Sequence, residues 1–345
     1  MASASARLPT RGVGITDGSR VESTGFQSIM IFLLGASGYV GTAFQRELRR
    51  RGLNHHALSR SELNYTQFST LLLALKGHRP KLVIHCGGFT GKPNVDACET
   101  ARSETILGNI VLAQTVAQAC DAAGVRLGAV SSGCVYNGAK VRNDDGIWTI
   151  RPDLNAPDLA ARLSSRSPDI RGFDEDDAPN FTFENGSSFY SGTKAIAEKV
   201  LLDSPSTYIW RLRMPFEERD HPRNYLSKLQ TYAKLYQNWN SLSHLGDFVS
   251  ACLQIWEADL PGGAYNIVNP GYVGTREVVS MIRKLRGPDW EPGFWRDDAE
   301  FYREGARAPR SNCLLESAKL TQAGIKLRNV ETALADCLAH WQQAS

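Results

Sequence analysis

Ile29-Met-Ile-Phe-Leu-Leu34 runs directly into Gly35-Ala-Ser-Gly-Tyr-Val-Gly41, and this junction decides the fold. The first stretch is a continuous apolar run, which is typical of a buried strand in a parallel sheet. The second places glycines in a GxxGxxG pattern ahead of a helical stretch that ends near Gly52. Glycines between a strand and a helix permit a tight turn and let the backbone approach a pyrophosphate at the helix N-terminus. The junction therefore predicts a dinucleotide-binding unit at the start of the fold.

Strands and helices alternate along the chain that follows. Further strands are predicted near His55 to Ser59, at Lys81 to His85, at Arg126 to Ser131 and at Thr207 to Arg213. Helices are predicted from Thr66 to Leu75, from about Asp96 to Ala123 and from Ser188 to Leu202. This order predicts an α/β fold: a Rossmann-type, doubly wound parallel sheet with a smaller C-terminal α/β substrate lobe.

The composition argues against several classes of protein. Of the 345 residues, 42% are hydrophobic, and the net charge is only +3, so there is no electrostatic case for binding nucleic acid. The seven cysteines are scattered and never form a CxxC pair, which disfavours a disulfide framework and a zinc site. The seven histidines show no ligand spacing, and no metal is expected. No apolar run approaches the roughly 20 residues that cross a bilayer, so we expect a cytoplasmic protein without membrane contact.

The residues at the end of the second strand bear on the choice of cofactor. NAD-binding folds tend to place an acidic residue there to hold the ribose hydroxyls. This chain offers Ser59-Arg60-Ser61, whose guanidinium and hydroxyls suit a 2′-phosphate. The pattern favours NADPH, and the alternative is that Arg60 is a solvated surface residue.

Three regions are then predicted. Residues 1–28 form a flexible extension, residues 29–213 an NADP-binding Rossmann domain, and residues 214–345 mainly a substrate-binding lobe. A transit peptide is the alternative for residues 1–28, although Asp17 and Glu22 weaken it. The Rossmann domain carries a stretch at about 139–180 without clear periodicity, which is long for a connection and indicates an insertion or a lid.

Tyr190 and Lys194, in Tyr190-Ser-Gly-Thr-Lys194, form a candidate catalytic pair. Their spacing places both side chains on one face of a helix, one turn apart. A lysine cation near a phenol favours the ionised form and lowers the phenol pKa, which makes Tyr190 a usable proton donor to a forming alkoxide. Ser132, at the end of a predicted strand, could hydrogen-bond the same substrate oxygen. The alternative is a chance YxxxK on a solvated helix face.

These motifs resemble those of the extended short-chain dehydrogenase/reductases. More narrowly, the chain resembles the plant nucleotide-rhamnose synthase epimerase/reductases and, less closely, the bacterial dTDP-4-dehydrorhamnose reductases. The matching stretches run through both predicted lobes: Thr90 to Asp96 with Cys98-Glu99, Ser132 to Tyr136, Pro179 to Thr182, Ser188 to Ser191, Arg211 to Pro215, Pro222 to Asn224 with Lys228, Asn269 to Gly271, and Ala308 to Asn312. The resemblance implies reduction of a 4-keto-6-deoxyhexose attached to UDP or dTDP, with NADPH as the hydride source. In that chemistry Tyr190 protonates the oxygen, Lys194 holds the nicotinamide ribose and Ser132 orients the ketone.

The epimerase members of that family also invert the two carbons beside the ketone. Such inversion needs one group that takes a proton and another that returns it from the opposite face. Cys134 and Lys228 fall where the family's pair would fall, and both can act if their pKa values are depressed. The alternatives are a buried core thiol for Cys134 and a phosphate or surface contact for Lys228. Arg310 resembles the residue that binds the nucleotide diphosphate.

Two sets of contacts follow. The expected cofactor contacts are Gly35, Ser37, Gly38, Tyr39, Val40, Gly41, Ser59, Arg60, Cys86, Gly87, Gly88, Tyr190, Lys194 and Arg213. The expected substrate contacts are Thr90, Asn94, Ser132, Cys134, Asn224, Lys228 and Arg310.

Two departures from the family leave the substrate open. His85 stands where the relatives carry Asn, and the interval between Ser132 and Tyr190 is longer than theirs because of the insertion. Reduction alone, or action on another nucleotide sugar such as a GDP-linked one, are therefore alternatives. A non-catalytic NADP-binding subunit, resembling the regulatory subunit of methionine adenosyltransferase, is a further alternative, although joint retention of Ser132, Tyr190 and Lys194 speaks against it. A homodimer is expected as one option, since the sequence does not fix the oligomeric state.

Overall fold

A six-stranded parallel sheet forms the centre of the computed structural model, which describes residues 30–342. Within that range the strands are β1 (Met30–Leu34), β2 (Asn54–Leu58), β3 (Leu82–His85), β4 (Arg126–Ser132), β5 (Ala139–Arg142), β6 (Trp148–Arg151), β7 (Ile170–Arg171), β8 (Thr207–Leu212), β9 (Lys234–Leu235), β10 (Trp239–Asn240), β11 (Gly263–Asn266), β12 (Val273–Gly274) and β13 (Gly293–Phe294). The expected extension 1–28 lies outside the described residues.

The helices cover both faces of this sheet and build the C-terminal region. They are α1 (Tyr39–Arg50), α2 (Phe68–His78), α3 (Arg102–Ile106), α4 (Leu112–Ala123), α5 (Pro157–Ser164), α6 (Phe189–Leu202), α7 (Tyr225–Thr231), α8 (Leu245–Glu257), α9 (Thr275–Arg286), α10 (Asp298–Glu300), α11 (Ala318–Gln322) and α12 (Val330–Ala339). None of these helices has the length and apolar character needed to span a bilayer. Short 3₁₀ or π turns lie at Val95–Glu99, Leu107–Val111, Gly133–Val135, Phe183–Asn185 and Phe301–Gly305.

The strand order is β11-β8-β4-β3-β1-β2, and every pairing within this sheet is parallel. Side chains alternate along β1: Ile31 and Leu33 pack on the face covered by α1 and α8, whereas Phe32 and Leu34 pack on the face covered by α2 and α4. Helices therefore shield both faces of the sheet from solvent, which explains the continuous apolar run in β1. The predicted doubly wound α/β fold is confirmed.

The strand order also fixes where a ligand can enter. After β2 the chain crosses β1 to reach β3, so β1 and β3 are neighbours whose following loops diverge to opposite sides. In open parallel sheets a crevice forms at this point, outside the carboxyl ends of the strands. The glycine loop after β1 lies at that crevice.

The helix expected from Asp96 to Ala123 is wrong as one continuous element. A 3₁₀ turn, Val95–Glu99, begins at Asn94, whose side-chain oxygen accepts a hydrogen bond from the Asp96 N–H (2.9 Å). Ala101 then leaves the helical region (φ −88°, ψ 57°), and α3 passes through a π turn into α4. A π turn shifts the facing of side chains within a helix, and such turns occur frequently at functional sites.

Residues 139–180 form a small ordered unit. Its strands β5, β6 and β7 pair antiparallel, and α5 packs on them through Leu159 and Leu163. Trp239 and Leu314, from the C-terminal region, complete the same apolar cluster. The segment is therefore anchored on the C-terminal region, while the expected domain boundaries remain predictions.

Candidate active site

The glycine loop after β1 packs tightly against the loop after β3. Gly35 has φ +75°, and a Cβ there would lie 2.7 Å from the Gly87 nitrogen and 2.9 Å from the Cys86 carbonyl carbon. A Cβ on Gly41 would lie 2.3 Å from the Gly35 carbonyl oxygen. Only glycine fits at both positions, so the sequence pattern serves this close approach. The exposed Ser37 and Gly38 lie at the N-terminus of α1, where the backbone favours an anion.

Two of the expected cofactor contacts in this loop have side chains that pack inside the protein. Tyr39 is buried and its ring stacks on His221, with centroids 4.5 Å apart and planes 9° apart. Val40 packs against the core on the same face of the sheet. Both side chains tie α1 to the rest of the molecule, and their contact with a cofactor remains a prediction.

A carboxylate that the sequence reasoning missed lies at the end of β2. Glu62 accepts hydrogen bonds from the Ser59 backbone N–H (2.8 Å) and the Ser59 hydroxyl (2.7 Å), and these bonds hold the pKa of Glu62 below its usual range. Arg60 is exposed beside it. The expected 2′-phosphate site therefore contains one cation and one anion. Glu62 follows Ser59 by three residues, and this spacing is the sequence feature that could have predicted the bond between them.

The loop after β3 is held by a second missed residue, Asn109, on the π turn before α4. Its side chain bonds both backbone groups of Phe89 (2.8 and 2.9 Å) and the Thr193 hydroxyl (3.2 Å). A Cβ on Gly88 would lie 3.2 Å from its oxygen and 3.8 Å from Lys194 Nζ. Asn109 thus joins the predicted cofactor loop to α6. A lone amide within an apolar helical stretch is the sequence feature that could have drawn attention to it.

His85 lies buried directly beneath this loop. Its ring is so close that a Cβ on Gly87 would lie 2.9 Å from it. Burial, together with the charge of Lys194, lowers the pKa of His85 to about 3. The imidazole is therefore neutral, and its Nδ1 has no hydrogen-bond partner within residues 30–342.

Ser132, Tyr190 and Lys194 meet at the carboxyl end of β4. Ser132 ends the strand, and Tyr190 and Lys194 lie one turn apart at the start of α6, as the spacing predicts. Lys194 Nζ lies 3.5 Å from the Val130 carbonyl oxygen. The Ser188 hydroxyl caps α6 by accepting from the Ser191 N–H (3.2 Å). We call Ser132, Tyr190 and Lys194, with Cys134, the sheet wall.

The acid–base properties of this trio differ from the sequence expectation. Burial raises the pKa of Tyr190 well above its ordinary value, and a hydrogen bond with Ser132 opposes this only in part. The expected net fall in the pKa of Tyr190 is wrong, because desolvation of the buried phenolate outweighs the charge and hydrogen bond that favour it. Burial also lowers the pKa of Lys194 itself. Tyr190 therefore holds its proton firmly.

A fully buried ion pair supports the sheet wall from behind. Glu198, one turn after Lys194 on α6, accepts from Arg211 of β8 at 2.8 and 3.0 Å and from the Ser131 hydroxyl at 2.5 Å. Arg211 also donates to the Tyr136 hydroxyl (3.0 Å). The pair fixes α6 against β4 and β8, since each charge is compensated inside the protein.

Cys134 follows Ser132 in the sheet wall and is buried. Its backbone N–H donates to the Ser132 hydroxyl (3.2 Å). Burial raises the pKa of the Cys134 thiol, although Ser132, Ser191 and the Arg213 and Lys194 charges act in the opposite direction. The condition stated for Cys134, a depressed pKa, is not met, and the group is a thiol rather than a thiolate.

We call Arg223, Lys228 and Arg310, which come from the C-terminal region, the lobe wall. Arg223, which the sequence reasoning did not single out, donates a short hydrogen bond to the Thr90 hydroxyl in the loop after β3. Lys228 lies on α7, and burial, followed by the charges of Arg223 and Arg310, lowers its pKa. Lys228 therefore meets the condition that Cys134 does not.

Arg310 is paired with a protein carboxylate. Its two terminal nitrogens donate to the two oxygens of Asp96 (2.7 and 2.8 Å), which also accepts from the Ala308 N–H (3.0 Å). Burial opposes ionisation of Asp96, but the Arg310 guanidinium prevails and lowers its pKa. Asp96, which the sequence analysis did not propose as a site residue, thus positions Arg310, the residue expected to bind the nucleotide diphosphate.

Two expected contacts are used inside the protein. Asn224 is fully buried, donates to the carbonyls of Glu217 and Arg219 (both 2.7 Å) and caps α7 by accepting from the Leu226 N–H (3.0 Å). Arg213 is buried and donates to Asn240 and to the Ser311 carbonyl (both 2.5 Å). These bonds favour structural roles, and direct contact with ligands remains a prediction for both residues.

Glu218, His244 and Cys337 bring three metal-ligating atoms within 4.8 Å of one another. His244 caps α8, however: its Nδ1 lies 3.1 Å from the Asp247 backbone nitrogen, which donates to it, and 2.9 Å from Arg328. Hydrogen bonds to Asp247, Cys337 and Glu218 outweigh burial and raise the pKa of His244 to about 11. In the cap, His244 Nδ1 accepts from the Asp247 N–H, so its lone pair is already engaged and only Nε2, 3.7 Å from Glu218, is left as a ligand atom.

Comparisons with known proteins agree with this architecture. The model of the family described as RmlD substrate binding domain matches residues 29–343. The bifunctional dTDP-4-dehydrorhamnose 3,5-epimerase/dTDP-4-dehydrorhamnose reductase of Arabidopsis thaliana is 28% identical over 309 residues, covering 89% of this chain and 91% of that protein. A trifunctional UDP-glucose 4,6-dehydratase/UDP-4-keto-6-deoxy-D-glucose 3,5-epimerase/UDP-4-keto-L-rhamnose-reductase of the same plant is 27% identical over 310 residues, and this chain spans only 41% of its length.

Solved structures share the fold. The L780 UDP-rhamnose synthase of Acanthamoeba polyphaga mimivirus superposes with a TM-score of 0.75 at 22% identity, covering 90% of this chain and 99% of that one. A dTDP-4-dehydrorhamnose reductase of Clostridium acetobutylicum gives 0.70 at 17% identity, covering 90% and 99%. At these identities the likeness concerns the fold alone.

Proposed function

Because the chain belongs to the RmlD substrate-binding domain family, we propose that it is an NADPH-dependent 4-ketoreductase of nucleotide-linked 4-keto-6-deoxyhexoses of the UDP- or dTDP-4-keto-rhamnose type. We propose further that it performs 3,5-epimerisation before the reduction. The observation that carries the proposal is the meeting of Ser132, Tyr190 and Lys194 beside the crevice between β1 and β3. Fold alone would not support a function, whereas this arrangement of groups has a defined chemistry.

The crevice fits a dinucleotide cofactor. The 12-residue helix α1 presents the exposed Ser37 and Gly38 at its N-terminus, which suits a pyrophosphate. When bound, NADPH supplies the hydride for the carbonyl carbon. Lys194 and the Gly87-Gly88 loop are the groups that would hold its nicotinamide end.

Tyr190 is the proton donor in the reduction. The ketone oxygen gains negative charge as the carbonyl carbon is reduced, and the phenol transfers its proton to that oxygen. Since burial raises the pKa of Tyr190, the group is fully protonated at neutral pH before the reaction. Ser132 hydrogen-bonds the same oxygen and Lys194 stabilises the phenolate that remains.

Lys228 and Cys134 divide the epimerisation between them. Lys228 takes the proton from the carbon beside the ketone, the C–H electron pair moves into an enolate on O4, and the nitrogen becomes an ammonium. Cys134 then gives its thiol proton to the opposite face of that carbon and becomes a thiolate. The lowered pKa of Lys228, caused first by burial, supports its role as the base. Cys134 lacks the depressed pKa that the sequence analysis required, and burial instead keeps its thiol protonated until the enolate forms.

The test is NADPH oxidation by the purified protein with UDP- or dTDP-4-keto-6-deoxyglucose, followed by NMR of the sugar product. A rhamnose-configured product supports both activities. A product reduced without inversion removes Lys228 and Cys134 from catalysis. Tight NADPH binding without turnover of either sugar contradicts the proposal and favours another nucleotide sugar or a binding subunit.

We also propose a cytoplasmic homodimer. The seven cysteines are all unpaired thiols, in keeping with a reducing compartment. Leu107 (59% exposed) and Ile196 (37% exposed) lie on neighbouring helical segments whose apolar groups a second copy could cover. Light scattering should give twice the chain mass, and Leu107→Ser should shift it toward the monomer; a monomer at every concentration contradicts the dimer.

A further inference from the structure

The turn before α7 contacts both sides of the crevice between β1 and β3. On the β1 side, the His221 ring stacks on the ring of Tyr39, the first residue of α1, with centroids 4.5 Å apart and planes 9° apart. On the β3 side, the Arg223 guanidinium donates a short hydrogen bond to the Thr90 hydroxyl. One residue, Pro222, separates the two contacts in the chain. A single turn of the C-terminal region therefore joins the loops on the two sides of the crevice.

The backbone of this turn is closed by its own hydrogen bonds. The Asn224 N–H donates to the His221 carbonyl (2.8 Å), which forms a β-turn with Pro222 at its second position, where the fixed φ of proline is favoured. The Arg223 N–H donates to His221 Nδ1 (3.0 Å), so the imidazole that stacks on Tyr39 also holds the turn. The buried Asn224 side chain anchors the turn with three further bonds. His221 and Arg223 therefore move together with the C-terminal region.

The contacts that hold the turn to the two loops are weaker than those within it. Arg223 is exposed and forms no ion pair within residues 30–342, so its guanidinium is held there by the neutral Thr90 hydroxyl. The other contact is one stacked pair of rings. A single stacked pair and a single hydrogen bond each contribute modestly to stability. The turn can therefore lift off both loops without loss of the fold around it.

The expected cofactor position lies between these two contacts. Tyr39 directly follows Gly38, the N-cap of α1, where a pyrophosphate is expected. Thr90 lies two residues after the Gly87-Gly88 loop, which is expected to hold the nicotinamide end. Nucleotides bind in this crevice of open parallel sheets, outside the carboxyl ends of the strands. The turn thus connects the two structures between which the cofactor is expected to bind.

We propose that residues 221–224 form a strap across the cofactor crevice, which must lift off Tyr39 and Thr90 before NADPH can enter or leave. The inference rests on the cofactor site of the proposed function, but not on the identity of the sugar. Opening of such covering segments limits product release in many enzymes. The strap therefore sets the rate of cofactor exchange, whereas the glycine loop and the Gly87-Gly88 loop set the affinity.

Stopped-flow fluorescence of NADPH with the full chain measures this exchange without any sugar. His221→Ala removes the stack, and Arg223→Ala and the isosteric Thr90→Val each remove the hydrogen bond; none of these residues is an expected cofactor contact. Each variant should raise both the association and the dissociation rate constant by roughly two- to tenfold, the range for one stacked pair or one hydrogen bond. The dissociation constant should change less than either rate constant, because a strap slows passage in both directions. Arg286→Ala, exposed at the end of α9, is the control and should change neither rate constant.

Two results would overturn the strap. Unchanged rate constants in all three variants show that cofactor passage does not depend on this turn. A faster dissociation at an unchanged association rate constant, seen in Arg223→Ala but not in Thr90→Val, assigns Arg223 a direct contact with the bound cofactor instead. A wild-type protein that binds no NADPH refutes the proposed function and the strap together. Faster exchange in variants of a protein that turns over no sugar supports the strap and contradicts only the proposed reaction.

Discussion

The sheet wall carries its functional groups on buried regular structure, whereas the lobe wall carries them on a turn and a short helix joined to the rest by side-chain contacts. Tyr190 and Lys194 are held by the cap of α6 and by the buried Glu198–Arg211 pair behind them. The Arg223 side chain is held by a hydrogen bond to Thr90, and Arg310 is held by a bidentate pair with Asp96. One wall is supported by a fully buried ion pair, whereas the contacts that hold the other wall are partly exposed to solvent.

This difference suggests that the two walls contribute to different reactions. The sheet wall contains a phenol whose proton is retained until an oxygen beside it becomes negative, which suits reduction. The lobe wall contains an amine of lowered pKa among fixed cations, which suits proton abstraction from carbon and recognition of an anionic nucleotide. Epimerisation also uses Cys134 of the sheet wall, but Tyr190 acts only in reduction and Lys228 only in proton abstraction, so a change to either residue should leave the other reaction measurable.

The largest effect should come from the sheet wall. Tyr190→Phe removes the proton donor and should lower the rate of NADPH oxidation by about a thousandfold, within the usual range for loss of a general acid. NADPH binding, followed by the cofactor's fluorescence, should remain near wild type because the ring and the helix are kept. A variant with more than a tenth of the wild-type rate would remove Tyr190 from this role.

The next effect concerns the support of that wall. Glu198→Gln leaves the buried Arg211 cation without its partner and should destabilise the fold by about 3 to 5 kcal/mol. The melting temperature should drop on the order of 10 °C. Glu104→Gln, an exposed glutamate on α3, is the matched control and should change little. Equal melting temperatures for the two variants would contradict the support of the sheet wall by this buried ion pair.

A smaller effect is expected for the lobe wall. Lys228→Gln should lower C3 and C5 hydrogen exchange by roughly a hundredfold while an already epimerised 4-keto sugar is still reduced. In the wild type the exchange rate should rise with pH through the lowered pKa of Lys228 and then level off, since only the neutral amine takes a proton. Lys199→Gln, on the exposed face of α6, is the control. If Lys228→Gln lost hydrogen exchange and sugar reduction to the same extent, the two walls would act as one functional unit.

The smallest effect lies outside both walls, at the end of β2. Glu62→Gln removes a carboxylate beside the expected 2′-phosphate site and should improve the preference for NADPH over NADH by a factor of roughly 2 to 5, as for exposed charge pairs. Arg60→Ala should shift the preference in the opposite direction. The measurement is the ratio of kcat/KM for NADPH to kcat/KM for NADH. A shift of this ratio in the same direction in the two variants would refute the assignment of the 2′-phosphate site to the end of β2.

The sequence predicted what depends on local patterns. The junction of β1 with its glycine loop encodes a strand, a turn and a helix within a dozen or so residues, and the spacing of Tyr190 and Lys194 encodes a shared helix face. The structure confirms the strand and helix at this junction and the placement of Tyr190 and Lys194 one turn apart on α6. Local patterns do not determine the balance between burial and charge, which is why the pKa of Tyr190 was expected to fall and is raised instead.

The residues that sequence reasoning missed depend on contacts far apart in the chain. Asn109 bonds Phe89 and Thr193, and Arg223 bonds Thr90, across separations that no periodicity reports. The helix expected from Asp96 to Ala123 is broken in the same segment in which Asp96 pairs with Arg310, a contact 214 residues apart in the chain. Glu62 was visible in the sequence, but its bond to Ser59 was not.

The separation of the two walls can be tested with one sample. Tyr190→Phe protein is incubated in D₂O with NADPH and the UDP- or dTDP-linked 4-keto-6-deoxyglucose, and proton NMR follows the sugar while absorbance follows the cofactor. We expect the C3 and C5 proton signals to disappear while NADPH is not oxidised, because the lobe wall still abstracts protons and the sheet wall can no longer protonate the oxygen. Retention of both proton signals, in a variant that still binds NADPH, would contradict the division of the chemistry between the two walls.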